Sequence, residues 1–459
     1  MSVPPRSRGS VGTQAERSYF ARQILLPAQA FLHTQAVGAV ILLVAALAAG
    51  IWANSPWDES YSDLWETSIA VDVGLFSIAK DLRHWINDGL MVFFFFLVAL
   101  EIKRELVHGE LSEPRRAALP VAAALGGMTL PAVIYLTLNV GGDGERGWGI
   151  PMATDTAFAL GVLALVGRGV PTELRIFLLA VAIVDDIAAI LVIAIFYTDT
   201  LSLEALGVAA LLLGAIVVMN RVGVLNMNLY FLVGALVWVA VLKSGIHATI
   251  TGVVLGLLTP ASPYFTKKTF AESSERLGEQ FRAAMARGDE DTAEMVLGQM
   301  EELVVGVEAP LERLERLLQP WTSYVVMPLF ALANAGIIVS GEVLQDAVTS
   351  PVTQGVVFGL VVGKTVGIVG FSWLAVRLGI STLPKRVTWA QMIGLGLVAG
   401  IGFTVSLFIT GLAFSSGDLV SNAKIGILSA SILSGVAGYA WLRIAATRGQ
   451  AGQSGPSSA

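Results

Sequence analysis

The 459-residue sequence contains no cysteine and only four histidines. The absence of cysteine excludes a disulfide framework, a thiolate zinc site, an iron–sulfur cluster and a cysteine nucleophile. Charged residues are also scarce, at 14%, whereas 55% of the residues are hydrophobic and the mean hydropathy is +0.72. So few charges cannot cover the surfaces of the soluble domains that a chain of this length would otherwise form. The composition therefore predicts a polytopic membrane protein surrounded by lipid.

Two further absences narrow the function. The net charge is −6 and no basic stripe occurs, so nucleic acid is excluded as a partner. There is no H-E-x-x-H motif, and no serine is found with a histidine at comparable membrane depth, as an intramembrane protease would require. We therefore expect a protein that is not an enzyme and that needs no cofactor.

Apolar stretches long enough to cross about 30 Å of hydrocarbon recur along most of the chain. We predict an all-α fold of about twelve transmembrane helices. Their approximate bounds are 36–53, 86–106, 117–140, 148–167, 172–197, 203–220, 226–242, 246–259, 322–339, 352–376, 388–414 and 421–442.

Basic residues predict the orientation, since they concentrate in cytoplasmic loops. With a cytoplasmic N-terminus, 23 of the 29 lysines and arginines fall inside and 5 outside, and the remaining one, Lys364, falls within a span. The alternation fails if any single span is added or removed. Both termini are therefore predicted to be cytoplasmic.

The polar segments define the domain organisation. We expect a cytoplasmic tail at 1–30, a membrane domain at 31–445 and a disordered tail at 446–459. A hydrophilic cytoplasmic insertion at about 261–319 has mixed charge and helical spacing, which predicts one or two surface helices. Alternating apolar and polar residues at about 66–82 predict a small extracytoplasmic β-hairpin, whose exposed edge is a natural dimer contact.

Four charged residues lie in the middle of apolar spans, where each costs roughly 2.5–3.5 kcal/mol. They are Asp155, Asp185, Asp186 and Lys364. Their positions along the helices place them at a similar depth. A structural ion pair needs only one lysine and one aspartate. With three aspartates and one lysine, two carboxylates are left without a basic partner in the spans.

The surplus acids suggest a cation site. Adjacent aspartates repel each other in a low-dielectric cavity, so their titrations are coupled. Carboxylate oxygens are also the ligands that hard cations prefer. Proton and cation would therefore compete for the same carboxylates. If such a site faces the two sides of the membrane alternately, the competition alone exchanges cation for proton.

Two spans contain helix-breaking patterns. Pro151, Thr154 and Asp155 interrupt one span, and Gly400 and Gly402 lie near the middle of another in the second half of the chain. Such a pair is typical of the crossed, broken helices at the substrate site of secondary transporters. Half-helix termini there carry partial charges that ions and side chains can offset.

Several segments resemble the signature segments of the NhaA family of bacterial sodium/proton antiporters, which are themselves known examples of this broken-helix arrangement. The segments are ATDTAFALGVLALVG, AIVDDIAAI, VLKSGIHAT, PLFALANAG, GKTVGI and GIGFTVSLF. The resemblance extends from about residue 30 to 445, with 261–310 poorly covered. It implies inverted repeats with two crossed interrupted helices.

The resemblance also implies roles for individual residues. Asp185 and Asp186 match the paired aspartates that bind Na⁺ or Li⁺ and the exchanged protons, and Asp155 and Thr154 match the polar centre of the first interrupted helix. Lys364 matches a membrane lysine that acts as proton carrier or as charge partner of Asp185.

A second group of residues resembles those associated with the pH response. These are Glu101 and Glu105 in the segment ALEIKREL, and Arg313 and Glu315 in LERLERLLQPW. Arg316 and Gln319 stand where some members of the family carry histidines, so the pH of activation does not carry over from those members.

The resemblance implies a homodimer joined through the hairpin, in the bacterial cytoplasmic membrane. Its activity would be electrogenic, pH-regulated exchange of Na⁺ or Li⁺ for H⁺, serving sodium extrusion and pH homeostasis. The alternative is a sodium-coupled symporter of a small organic solute, which needs a larger polar cavity. A cation channel is a third possibility, in which coupled protonation would be unnecessary.

Overall fold

The computed structural model describes residues 26–453 except 74–75, 199–200 and 225. Helices dominate it. We number the longer ones in chain order: α1 Leu26–Ala53, α2 Asp58–Glu66, α3 Leu82–His108, α4 Pro114–Asn139, α5 Thr156–Val166, α6 Thr172–Phe196, α7 Leu203–Val222, α8 Met227–Ser244, α9 Ile250–Leu258, α10 Lys267–Arg287, α11 Glu290–Val307, α12 Pro310–Trp321, α13 Met327–Asn334, α14 Gly341–Thr349, α15 Pro351–Arg377, α16 Trp389–Ala399, α17 Phe403–Ala413 and α18 Gly417–Gln453.

The helical architecture agrees with the predicted membrane fold. Every predicted span falls on a helical segment. Among the described residues, eight helices are long and apolar enough to cross a membrane, or ten if each of two bent helix pairs counts as one span. The remaining two predicted spans are shorter than expected: α9 has nine residues, and the helical stretch within 322–339 ends at Asn334.

Short irregular segments interrupt several spans. Three π turns lie within or between helices, at Trp85–Leu90, Thr322–Val326 and Gly359–Gly363. A 3₁₀ segment, Glu145–Met152, precedes α5. The pair α16 and α17 is bent by 45° at its break. The prediction of two interrupted helices, one in each half of the chain, is therefore confirmed.

Small residues let the helices of the membrane core approach closely. A Cβ atom on Gly367 of α15 would collide with the backbone carbonyl of Gly126 in α4, and one on Gly363 would lie 2.9 Å from the Cα of Pro131. Close backbone approach of this kind is how helices associate in lipid, where burial of apolar area gives no driving force between them. The contact fixes the position of α15, which carries Lys364 just after its π turn.

The hairpin forms as predicted, whereas the hydrophilic insertion holds one helix more than the one or two expected. Strands β1, Ser68–Val73, and β2, Phe76–Asp81, pair antiparallel with Ser68 opposite Asp81. The range 261–319 contains α10, α11 and most of α12. Helices α10 and α11 are joined at Gly288, whose φ of +70° suits glycine. Their facing sides share a small apolar cluster that includes Leu277, Val296 and Leu303.

The two ends of the chain are only partly described. Residues 1–25, most of the predicted N-terminal tail, lie outside the described residues. At the other end α18 extends to Gln453. The helix therefore continues past residue 446, where the disordered tail was predicted to begin. Residues 454–459 lie outside the described part of the chain.

Candidate functional site

The first interruption places a carboxylate at a helix N-terminus. The backbone becomes extended at Ala153 after the 3₁₀ segment, and α5 begins with Asp155 as its N-cap. The Oδ1 atom of Asp155 accepts a hydrogen bond of 3.2 Å from the N–H of Phe158. Such a cap satisfies a free N–H of the first turn and offsets the positive end of the helix.

The second interruption meets the first at the same carboxylate. The N–H of Asp155 donates to the carbonyl of Ile401 over 2.6 Å. The N–H and the hydroxyl of Thr404, in the first turn of α17, donate to Asp155 Oδ2 over 3.1 and 2.5 Å. A single buried carboxylate therefore lies at the N-termini of both α5 and α17.

Close packing explains the glycines of the second interruption. The φ angles of Gly400 and Gly402 are −70° and −91°, which other residues also adopt. A Cβ atom on Gly400, however, would collide with the carbonyl of Leu360, and one on Gly402 would collide with the hydroxyl of Ser406. Gly400 is therefore required because a backbone carbonyl leaves no room for a side chain, whereas a side chain at position 402 would displace neighbouring side chains.

Asp185, in the middle of α6, is paired. Its Oδ2 atom accepts hydrogen bonds from the ammonium of Lys364 and, over 2.8 Å, from the hydroxyl of Thr154. Thr154 also lies 3.0 Å from the carbonyl of Ala399, at the end of α16. Asp185 and Lys364 are almost completely buried, at 1% and 0% exposure. The ion pair thus links α6 to α15 next to both helix breaks.

Asp186, the next residue on α6, faces a cavity of about 60 Å³. Asp155 and Glu101 border the same cavity. In the described part of the chain, neither Asp186 nor Glu101 has a hydrogen bond or an ion pair. The remaining lining residues come from α1, α3, α5, α6, the π turn Thr322–Val326, α13, α17 and the first break: Gly38, Leu42, Phe94, Leu97, Val98, Thr154, Thr156, Ala157, Leu179, Thr322, Ser323, Met327, Thr404 and Val405.

Three of the four residues that the resemblance associates with the pH response, Glu101, Glu105 and Glu315, lie around Arg104. Arg104 forms an ion pair with Glu315 and lies 3.9 Å from Glu105. Glu101, one turn earlier on α3, borders the cavity beside Asp186. Arg313 lines a different, larger cavity. Glu101 nevertheless lies close enough to Glu105, Arg104 and Glu315 to interact with their charges.

Two functional candidates were missed by the sequence reasoning. Thr404 is hydrogen-bonded to Asp155 across 249 positions of the chain, and Thr322 lines the cavity. Thr404 lies in the segment GIGFTVSLF, just after Gly402. A threonine in the first turn after a helix break was the available signal, because hydroxyl groups are favoured near free helix N-termini.

The donor set fits a small monovalent cation better than a resident metal. Within residues 26–453, the described side chains contain no group of three or more His, Asp or Glu residues that could hold a metal ion. The cavity is nevertheless bordered by carboxylate and hydroxyl oxygens and exceeds the roughly 10–15 Å³ that one water molecule needs. A cation there would keep part of its water.

Buried carboxylates beside two interrupted helices are characteristic of one class of membrane protein. This arrangement is typical of secondary transporters, NhaA antiporters among the known cases, in which ions bind between discontinuous helices near the middle of the bilayer. The fold and the site together therefore place the chain among multi-pass membrane proteins of the secondary-transporter type.

Comparison with known proteins identifies the family. The profile described as Na⁺/H⁺ antiporter 1 matches residues 29–442. The chain is 46% identical to Na(+)/H(+) antiporter NhaA 2 of Sorangium cellulosum over 444 residues, which is 96% of this chain and 95% of that protein. It is also 46% identical to Na(+)/H(+) antiporter NhaA of Rhodopirellula baltica, over 91% of this chain and 94% of that protein. The chain belongs to the NhaA family of Na⁺/H⁺ antiporters.

A solved structure gives a weaker likeness. The sodium proton antiporter MjNhaP1 of Methanocaldococcus jannaschii at pH 8 matches with a TM-score of 0.47 and 13% identity, covering 92% of this chain and 99% of that chain. The family assignment rests on the sequence matches.

Proposed function

We propose that this chain exchanges Na⁺ for H⁺ by competition of the two ions for Asp186. The observation that carries the proposal is the cavity that Asp186 shares with Asp155 and Glu101, in which Asp186 has no hydrogen bond or ion pair among the described residues. Asp186 is half-buried within a membrane-spanning helix, where a charged carboxylate without a partner is costly until it is neutralised. A proton does so by bonding to it, and a cation does so by coordination.

The three membrane aspartates have different roles in this proposal. Asp155 is held by the N-termini of α5 and α17, so it contributes a fixed negative charge at the break. Thr154 and Asp185 connect that break to Lys364. We propose that Lys364 is the charge partner of Asp185 and that Asp186 is the group at which the ions exclude each other.

The remaining features of the proposal follow the family. Li⁺ is an alternative substrate, and the exchange is electrogenic and regulated by pH. The protein is a homodimer joined through β1 and β2, in the bacterial cytoplasmic membrane with both termini in the cytoplasm. The excess of basic residues in the proposed cytoplasmic segments supports this orientation.

The size and lining of the cavities disfavour the organic-solute symporter. The cavity at Asp186 measures about 60 Å³, well below the roughly 300–1,000 Å³ of sites for organic ligands. A second cavity of about 620 Å³ is lined mainly by apolar side chains such as Phe93, Phe231 and Leu255, and no membrane-embedded aspartate borders it. Its lining includes Arg313, Asn220 and Tyr230 but, among the described residues, no Asp or Glu that would couple a solute to sodium.

Dye quenching in everted vesicles tests the proposed function. After respiration has acidified the vesicles, addition of Na⁺ should release protons if the chain is an antiporter, whereas a channel would follow only the membrane potential. Replacement of Asp185 or Asp186 by Asn keeps the size of the side chain and removes its charge, so either variant should lose Na⁺-driven proton release. Full activity in either variant would contradict the proposal.

A further inference from the structure

Thr322 is a buried hydroxyl residue at the edge of the cavity. Its side chain borders the cavity together with Asp186 and Asp155, and only 3% of the residue is exposed. Its Oγ1 atom is buried and has no hydrogen-bond partner in the described part of the chain. Hydroxyl groups in such positions are normally hydrogen-bonded, so this one is available to something else.

Thr322 lies where the helix changes its hydrogen-bonding pattern. A threonine inside an α-helix usually donates to the carbonyl one turn earlier. Thr322 is the first residue of the π turn Thr322–Val326, whose closing hydrogen bond runs from the N–H of Met327 to the carbonyl of Thr322. π turns of this kind are frequent at functional sites. By contrast, Thr365 on α15 donates to the carbonyl of Val361 over 2.7 Å in the usual way.

The elements around Thr322 supply the rest of an oxygen-rich site. The side chain of Ser323 and the carboxylates of Glu101 and Asp186 border the same space. Gly38 of α1 packs against this turn, since a Cβ atom there would lie 3.0 Å from the Cβ of Ser323. The turn between α12 and α13 is thus held at the cavity by its packing against α1.

We infer that the Thr322 hydroxyl is a further ligand of the transported cation, directly or through one water molecule. It supplies a neutral oxygen beside the carboxylate of Asp186. Sodium is a hard cation that takes oxygen ligands, and a hydroxyl can accept coordination without a change of charge. The inference rests on the proposed exchange of Na⁺ at Asp186 and assigns to the same site a residue on a different helix.

Sodium dependence of the exchange rate in vesicles tests the inference. Thr322→Val removes the hydroxyl at nearly constant volume and should raise the KM for Na⁺ about three- to tenfold, with the maximal rate unchanged. Thr322→Ser retains the hydroxyl and should keep the wild-type KM. Thr251→Val is the matched control, because Thr251 is equally buried and its hydroxyl is also unpartnered among the described residues, but it lies on α9 outside this cavity.

The possible outcomes separate the inference from the proposed function. A wild-type KM in Thr322→Val, measured beside an inactive Asp186→Asn, would overturn the role of Thr322 and leave the exchange at Asp186 in place. An equal rise in KM for Thr322→Ser would also overturn it, because the effect would then follow side-chain shape. If the wild-type chain itself released no protons on addition of Na⁺, the proposed function would fail first.

Discussion

Asp185 and Asp186 are adjacent in the sequence but occupy opposite electrostatic surroundings. Asp185 is paired with Lys364 and accepts a hydrogen bond from Thr154. Asp186 borders a cavity with two other acids and has no such partner in the described chain. In the proposed mechanism, one helix thus assigns one of two identical side chains to stability and the other to transport.

Helix geometry accounts for the difference. Successive residues of an α-helix point about 100° apart, so α6 directs one aspartate towards α15 and the next towards α3 and the first break. A charge pair inside a protein stabilises only when both partners are present. A carboxylate that borders a cavity, in contrast, can exchange a bound proton for a cation without disturbing the packing around it.

The largest effect on stability is expected from Asp185→Asn. This change leaves the ammonium of Lys364 buried without its carboxylate, so we expect a loss of about 3–5 kcal/mol in the free energy of unfolding. Asp186→Asn removes a charge that is already unpaired and should not lower stability. Thermal unfolding of the purified protein in detergent, measured for both variants, checks the contrast.

The double variant Asp185→Asn/Lys364→Met provides the control, because it removes both charges of the pair and should recover most of the lost stability. If Asp185→Asn alone cost less than about 1 kcal/mol, which is the upper range for an exposed ion pair, the ion pair would not hold α6 to α15. Equal losses of unfolding free energy in Asp185→Asn and Asp186→Asn would show that the two aspartates do not differ in their contribution to stability.

A smaller effect is expected at the junction of the two breaks. Thr404→Val removes the hydroxyl that donates to Asp155 and should destabilise the protein by about 1–3 kcal/mol, since a buried carboxylate loses a donor. Thr410→Val, on the same helix, removes a hydroxyl that donates only to the carbonyl of Ser406. Thr410→Val should therefore lower the free energy of unfolding by clearly less than Thr404→Val in the same experiment. If Thr410→Val were the more destabilising of the two, Asp155 would not be the common cap of α5 and α17.

Much of the architecture follows from local patterns in the chain. Hydropathy is enough to predict the spans, since each must cover a fixed thickness of lipid. Alternation predicts β1 and β2, and the proline and glycine residues mark both interruptions. The helices of the insertion follow from mixed charge at helical spacing. All of these signals lie within a few tens of residues.

The arrangement inside the site depends on contacts between distant segments. Nothing near the pair Asp185 and Asp186 reveals which one meets Lys364, because that depends on the rotation of α6 about its axis. The bond from Thr404 to Asp155 joins the two halves of the chain. Glu101 interacts with the charged helix end around Arg104, but the local sequence does not show that it also borders the cavity.

Proton release by the purified protein tests the central claim most directly. Na⁺ is added to the detergent-solubilised protein in weakly buffered solution, and the change in pH is followed with an indicator dye. The account predicts that the wild-type protein releases protons as Na⁺ binds and that Asp186→Asn releases none. Undiminished proton release from Asp186→Asn, or binding of Na⁺ to the wild-type protein without any release, would contradict it.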